Sequence, residues 1–158
     1  MITVRGLTKS FDDYQALNDL SINVKSGSIY GLVGTNGSGK TTLIKHLTGI
    51  LKPDEGEILF DGDPVYENET LKGKIGFIPD DLSFFSSYTM RDVAKYYRSI
   101  YPVWDEERFQ RMSEKFDFSH RKKLQNFSKG MQKQAAFILT MCIHPKYLVL
   151  DEPIDGLD

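Results

Sequence analysis

Apolar and polar positions alternate along the first part of the chain. Ile2, Val4 and Leu7 lie in a short β-prone stretch, and Leu20, Ile22 and Val24 alternate with polar residues before Ser26-Gly27, so both segments predict strands. SIYGLV (28–33) is an apolar run of the kind found in a buried strand. From Thr42 to Thr48 the spacing becomes helical, and Gly49 is placed to end that helix. GEILFDGDPV (56–65) predicts two short strands about Asp61-Gly62, and KIGFIP (74–79) another strand ended by Pro79.

The middle of the chain changes period. Thr89-x-x-Asp92 has the form of a capping box, followed by Met90, Val93, Ala94 and Tyr97 on one helical face. Pro102 breaks that helix, and a second is expected from about Asp105 with Phe109, Met112 and Phe116 aligned. Ser128 opens a third, with Ala135, Leu139 and Cys142 facing inward, before KYLVL (146–150) returns to a buried strand. No repeat or low-complexity segment interrupts the pattern. The expected architecture is an α/β core interrupted by a helical insertion over roughly 85–143.

Composition narrows the class. At 158 residues the chain is long enough for one domain with a real core. Twenty basic against twenty-two acidic residues leave a net charge of −2, which argues against a dedicated nucleic-acid binder. Cys142 is the only cysteine, so no disulfide forms within the chain and a reducing compartment is expected. The longest apolar run, AAFILTMCI (135–143), is about half of what spans a bilayer, and MITVRGLTKSF lacks the pattern of a secretory signal. A cytoplasmic soluble domain is the expectation.

Three segments carry candidate chemistry. GTNGSGKT, Gly34 to Thr41, fits G-x-x-x-x-G-K-[ST] between an expected strand and an expected helix. Gly34, Gly37 and Gly39 let backbone N–H groups converge on phosphate oxygens, where side chains would obstruct. Lys40 brings a point charge to the terminal phosphates. Thr41 offers a hydroxyl to Mg²⁺, and the helix starting there points its positive end at the same anion. YLVLDEP (147–153) places Asp151 at the carboxyl end of a strand, suited to hold Mg²⁺ through water, with Glu152 next to it as a general base for an attacking water. NFSKGMQKQ (126–134) puts Ser128 and Gly130 at a helix start, which is either a second anion site or an ordinary serine cap.

In that order, and followed by DGLD (155–158), these segments resemble the ATP-binding cassette (ABC) family over the whole chain. The resemblance implies a P-loop NTPase fold, with N-terminal antiparallel strands and a helical subdomain inserted into an α/β core. Residues 1–84 and 144–158 would form the nucleotide-binding core, and 85–143 the helical subdomain. It implies ATP with Mg²⁺, held through Gly34, Asn36, Gly37, Ser38, Gly39, Lys40, Thr41 and Thr42, with Tyr14 as the aromatic that stacks on adenine. It further implies a head-to-tail homodimer or heterodimer of nucleotide-binding domains. There Ser128 and Gly130 of one domain close on the γ-phosphate held by the other. Transmembrane permease subunits are the expected partners, which would make the chain peripheral at the inner face of the cell membrane.

Three departures stand out. The family signature LSGGQ reads FSKGM (127–131), so Phe127, Lys129 and Met131 replace its Leu, first Gly and Gln. Asp80 occupies the place of the usual glutamine, where it is expected to act as a catalytic, metal or sensor residue. The family's switch histidine follows the Asp158 region, whereas His46, His120 and His144 all precede it. The expectation is therefore a C-terminally truncated cassette with part of its core exposed. Phe84 and Phe85, on a loop with Ser86 and Ser87, are candidates for docking a membrane subunit. SKGM together with YPVWDEERF resembles bacterial exporters. The implied function is ATP hydrolysis through Glu152, Lys40 and Asp80 that powers export. The alternatives are a soluble ABC ATPase acting on ribosomes or DNA, and a regulatory ATP-binding module.

Overall fold

The computed structural model describes residues 1–82, 87–116 and 122–152, in two compact units, Met1–Lys72 and Gly73–Asp158. Phe84, Phe85, Ser86, His120 and the DGLD segment lie outside the described residues.

The first unit is built on the N-terminal alternation. Strands β1 (Ile2–Phe11) and β2 (Tyr14–Val24) pair antiparallel, with Ile2 opposite Val24 and Phe11 opposite Tyr14. Strand β3 (Glu55–Phe60) joins the other side of β1, and β4 (Asp63–Pro64) folds back on β3 through Asp61-Gly62, giving the order β2-β1-β3-β4. Helix α1 (Lys40–Leu47) buries Leu43, Ile44 and His46, and the short helix α2 (Glu69–Lys72) buries Leu71. With Val4, Leu7, Leu17, Ile58, Phe60 and Val65, the residues Leu43, Ile44 and Leu71 form the apolar interior of this unit.

The strand expected over SIYGLV (28–33) is not formed. Ile29 and Val33 are fully exposed and Tyr30 is about half exposed. An extended segment is held by the neighbour that satisfies its N–H and C=O groups, and among the described residues no ladder partner meets these. Apolar content alone did not decide the conformation.

In the second unit, β5 (Ile75–Ile78) and β6 (Tyr147–Leu150) run parallel, Ile75 opposite Tyr147 and Ile78 opposite Leu150. β6 is less buried than its apolar run suggests: Val149 is covered, but Leu148 is 40% exposed. Helices α3 (Met90–Ile100), α4 (Glu106–Lys115) and α5 (Lys129–Met141) complete the unit. The capping box at α3 is present, Thr89 accepting from the Asp92 N–H while the Asp92 carboxylate accepts from the Thr89 N–H. Asp105 and Ser128 cap α4 and α5 by a single bond each, accepting from the Arg108 and Met131 N–H groups. α5 packs closely on β5: a Cβ at Gly76 would lie 2.6 Å from the Thr140 methyl, so only glycine allows this approach.

Met90, Val93, Ala94, Phe109, Phe127, Ala135, Ile138, Leu139 and Cys142 form one buried cluster among the three helices. Burial pushes the Cys142 thiol up to about 12, with the nearby Asp105 carboxylate adding to the shift, so the thiol is neutral throughout the physiological range. Native protein at pH 8 is therefore expected to resist a thiol reagent such as DTNB, and denatured protein to react at once. Rapid labelling of native protein would mean that the helical cluster opens readily.

Candidate functional site

The glycine loop belongs to the first unit. Gly37 and Gly39 take φ of 81° and 88°, in the left-handed region, and Gly39 is the N-cap of α1. It contributes no side-chain cap, so the first turn of α1 keeps its N–H groups for an external acceptor. A Cβ on Gly39 would meet the Ala16 carbonyl oxygen at 2.6 Å, and one on Gly34 would meet the Ser38 hydroxyl at 2.6 Å. The loop is thus a backbone cradle that side chains would fill.

Polar contacts hold the cradle's shape. The Ser38 N–H donates to the Thr35 carbonyl at 3.2 Å. Lys40 Nζ donates to the carbonyls of Gly34 at 2.8 Å and Thr35 at 2.9 Å, which keeps its charge over the loop. Tyr14, 58% exposed, donates its hydroxyl to the Gly37 carbonyl at 2.9 Å. The aromatic expected to stack on a base is therefore joined directly to the phosphate loop, with a face open to a planar ligand. Asn36 and Thr41 are exposed, and Thr42 is half-buried with its carbonyl 2.7 Å from Nδ1 of buried His46. A glycine loop with left-handed turns, a lysine held over it and a helix start with no side-chain cap fit a polyphosphate.

The acidic residues belong to the second unit. The Asp151 N–H donates to the Ile78 carbonyl at 3.0 Å, carrying the β5–β6 pairing one residue beyond the strand and fixing Asp151, which is 8% exposed. Glu152 then turns sharply with φ 48° and is exposed. Asp80, two residues beyond β5, is exposed as well. A cavity of about 270 Å³ opens beside the carboxyl ends of the two strands, mostly apolar, lined by Ile78, Leu150, Phe116 and Phe137 with Asp151 and Lys133. Among the described residues no group of three His, Cys, Asp or Glu side chains is placed to hold a metal ion unaided. One or two carboxylates with a hydroxyl suit Mg²⁺, which takes its remaining ligands from phosphate and water.

Ser128 and Gly130 lie at the start of α5. Ser128 is exposed and accepts from the Met131 N–H at 3.2 Å, while Gly130 is buried against the unit. The composition reading missed Lys133. It lies on the same helix, is 8% exposed and is held by Asp80 and by the Glu152 backbone.

The profile of the ABC transporter family matches residues 17–155, which is most of the chain. The chain belongs to the ABC transporter family. Over its whole length it is 35% identical to the ABC transporter ATP-binding protein YtrB of Bacillus subtilis, covering 54% of that protein. It is 31% identical to the lipopolysaccharide export ATP-binding protein LptB of Haemophilus influenzae, of which it covers 69%. A sulfate/thiosulfate import protein, CysA 1 of Agrobacterium fabrum, is similar at 32% identity over 99% of the chain and 48% of that relative. Among solved structures, an ATP-binding subunit of an ABC transporter superposes with a TM-score of 0.87 at 25% identity, over all of this chain and 68% of that one. The ABC fold expected from the motifs is therefore the fold found, and this cassette spans about half the length of its first-ranked relatives.

Proposed function

We propose that this ABC chain carries the ATP-binding and ATP-hydrolysing machinery of a transporter's motor subunit. The observation that carries the reading is the Gly34–Thr41 cradle, with its left-handed Gly37 and Gly39 and its Lys40 drawn over the loop. In this reading the backbone N–H groups of the loop and Lys40 hold the phosphates, with Asn36, Ser38 and Thr42 shaping the loop around them. Tyr14 stacks on adenine. Thr41, Asp151 and Asp80 are the proposed Mg²⁺ ligands. The ion, when bound, neutralises charge on the phosphates. Glu152 accepts the proton of the attacking water, and the Asp151–Ile78 hydrogen bond holds the segment that carries it.

Ser128 and Gly130 are proposed to face a nucleotide held by a second nucleotide-binding domain. The exposure of the Ser128 cap at the start of α5 supports that role. Residues 1–84 and 144–158 would act as the nucleotide core and 85–143 as the helical subdomain that meets a membrane permease. That association would hold the subunit at the inner face of the cell membrane. No helix among the described residues is long and apolar enough to cross a membrane. Export is the proposed direction, on the resemblance of SKGM together with YPVWDEERF to bacterial exporters.

The test is phosphate release from MgATP by the full chain, with nucleotide binding measured on the same samples. Release that saturates with MgATP and vanishes when Mg²⁺ is chelated is expected. Tight MgATP binding with no release would favour a regulatory nucleotide-binding module instead.

A further inference from the structure

Lys133 is an unusual residue to find buried. Lysine is almost never covered unless its charge is matched, and here two acceptors match it. Nζ lies 3.2 Å from Asp80 Oδ1 and 2.5 Å from the Glu152 carbonyl oxygen. These partners are 53 and 19 residues away in sequence and sit just beyond the two parallel strands. One ammonium thus ties together α5, the segment leaving β5 and the segment leaving β6.

The Glu152 contact has a specific consequence. With φ 48°, Glu152 occupies the left-handed region, which a non-glycine residue with a long side chain keeps only when its surroundings hold it there. The Lys133 bond fixes the carbonyl of that same residue and so fixes the turn that aims its side chain. Helix α5 contains no acidic residue, so Lys133 has no partner on its own helix. Its charge is committed to Asp80, which in turn restrains the carboxylate.

We infer that Lys133 is a positioning residue for hydrolysis: it joins Asp80 to the backbone of Glu152 and holds the general base at the angle that the reaction needs. The inference rests on the reading of Glu152 as that base. It also assigns Asp80 a second partner besides the metal ion, because the carboxylate and Lys133 act as one unit. Ser128 caps the same helix five residues earlier, about 7.5 Å along its axis. One rigid rod therefore carries both the serine proposed to meet the second nucleotide and the lysine that sets the base.

The experiment is a double-mutant cycle in the full chain with Lys133→Met, Asp80→Asn and the pair, reading kcat, KM and MgATP affinity. Lys133→Met is expected to lower kcat about 10- to 100-fold, because a base displaced by about an ångström loses that much. MgATP affinity is expected to stay within about threefold, as for an interaction that serves the transition state alone. The double variant should lose less than the product of the two single losses, since the Lys133–Asp80 contact cannot be broken twice, even though Asp80→Asn adds a loss of its own through the metal. Unchanged kcat in Lys133→Met, or losses that multiply in the double variant, would overturn the inference. If Lys133→Met loses MgATP binding through misfolding, Lys133→Gln, which keeps a donor for the Glu152 carbonyl but not the charge that faces Asp80, takes its place in the cycle, and losses that multiply with those of Asp80→Asn overturn the inference. Glu152→Gln measured alongside separates the two levels. A Glu152→Gln variant as fast as wild type overturns the reading of the base itself, whereas an inactive one beside a fully active Lys133→Met overturns only the positioning role.

Discussion

Glu152→Gln is expected to bind MgATP as well as the parent protein and to lose nearly all turnover. The amide has the size and reach of the carboxylate but cannot accept a proton, so the change removes one chemical property and little else. A positioned general base contributes about 10²- to 10⁴-fold, or about 3–5 kcal/mol of transition-state stabilisation. Retained folding is expected because Glu152 is exposed and its backbone is what the structure fixes, through the Asp151–Ile78 pairing and the Lys133 contact. Single-turnover phosphate release with nucleotide affinity on the same sample gives the measurement. A variant that hydrolyses within about threefold of wild type would show that the proton goes elsewhere, since no general base is dispensable to that degree.

Much of this arrangement was legible because its signals are local. Thr89 and Asp92 specify a capping box through two short side chains three residues apart, and Ser128 specifies its cap in the same way; both are found where the sequence puts them. Asp61-Gly62 needs only its own backbone preferences to turn β3 into β4. The glycine loop is equally self-contained, since Gly37 and Gly39 carry the left-handed conformations that the motif requires. Where the outcome depended on a distant partner, the sequence was less informative. SIYGLV has the composition of a buried strand, but a strand is a pairing, and among the described residues nothing pairs with it.

Lys133 illustrates the same limit from the polar side. A lysine in a helix is ordinarily solvated, and its spacing from Ala135 and Leu139 gives no sign that it turns inward. One signal was available. Within Lys129–Met141 there is no aspartate or glutamate at any spacing, so a buried lysine there has to find its counter-charge from another part of the chain. Asp80, an unexpected charge at a position where the family carries glutamine, is the complementary anomaly. Two departures from pattern that cancel each other's charge carry more information than either alone.

Gly39→Val is expected to abolish measurable MgATP binding, and Gly34→Ala to weaken it far less, although an added Cβ meets its nearest atom at 2.6 Å in both places. The difference lies in what that atom is. At Gly34 it is the Ser38 hydroxyl, the end of a small side chain that can rotate away. At Gly39 it is the Ala16 backbone carbonyl in β2, with a Leu17 methyl at 3.0 Å, and φ is 88° besides. A β-branched residue there adds the cost of a left-handed backbone, about 1–2 kcal/mol, to a clash that only backbone movement relieves. Movement at the N-cap of α1 turns the first-turn N–H groups away from the phosphates. Each hydrogen bond to a charged group is worth about 1.5–3 kcal/mol, so misaiming two of them weakens binding by roughly two orders of magnitude or more. Equilibrium binding of a fluorescent ATP analogue to both variants, with chemical denaturation to confirm folding, tests the contrast. Equal affinities in two folded variants would mean that the loop tolerates displacement at its helix start and that the phosphates are held elsewhere.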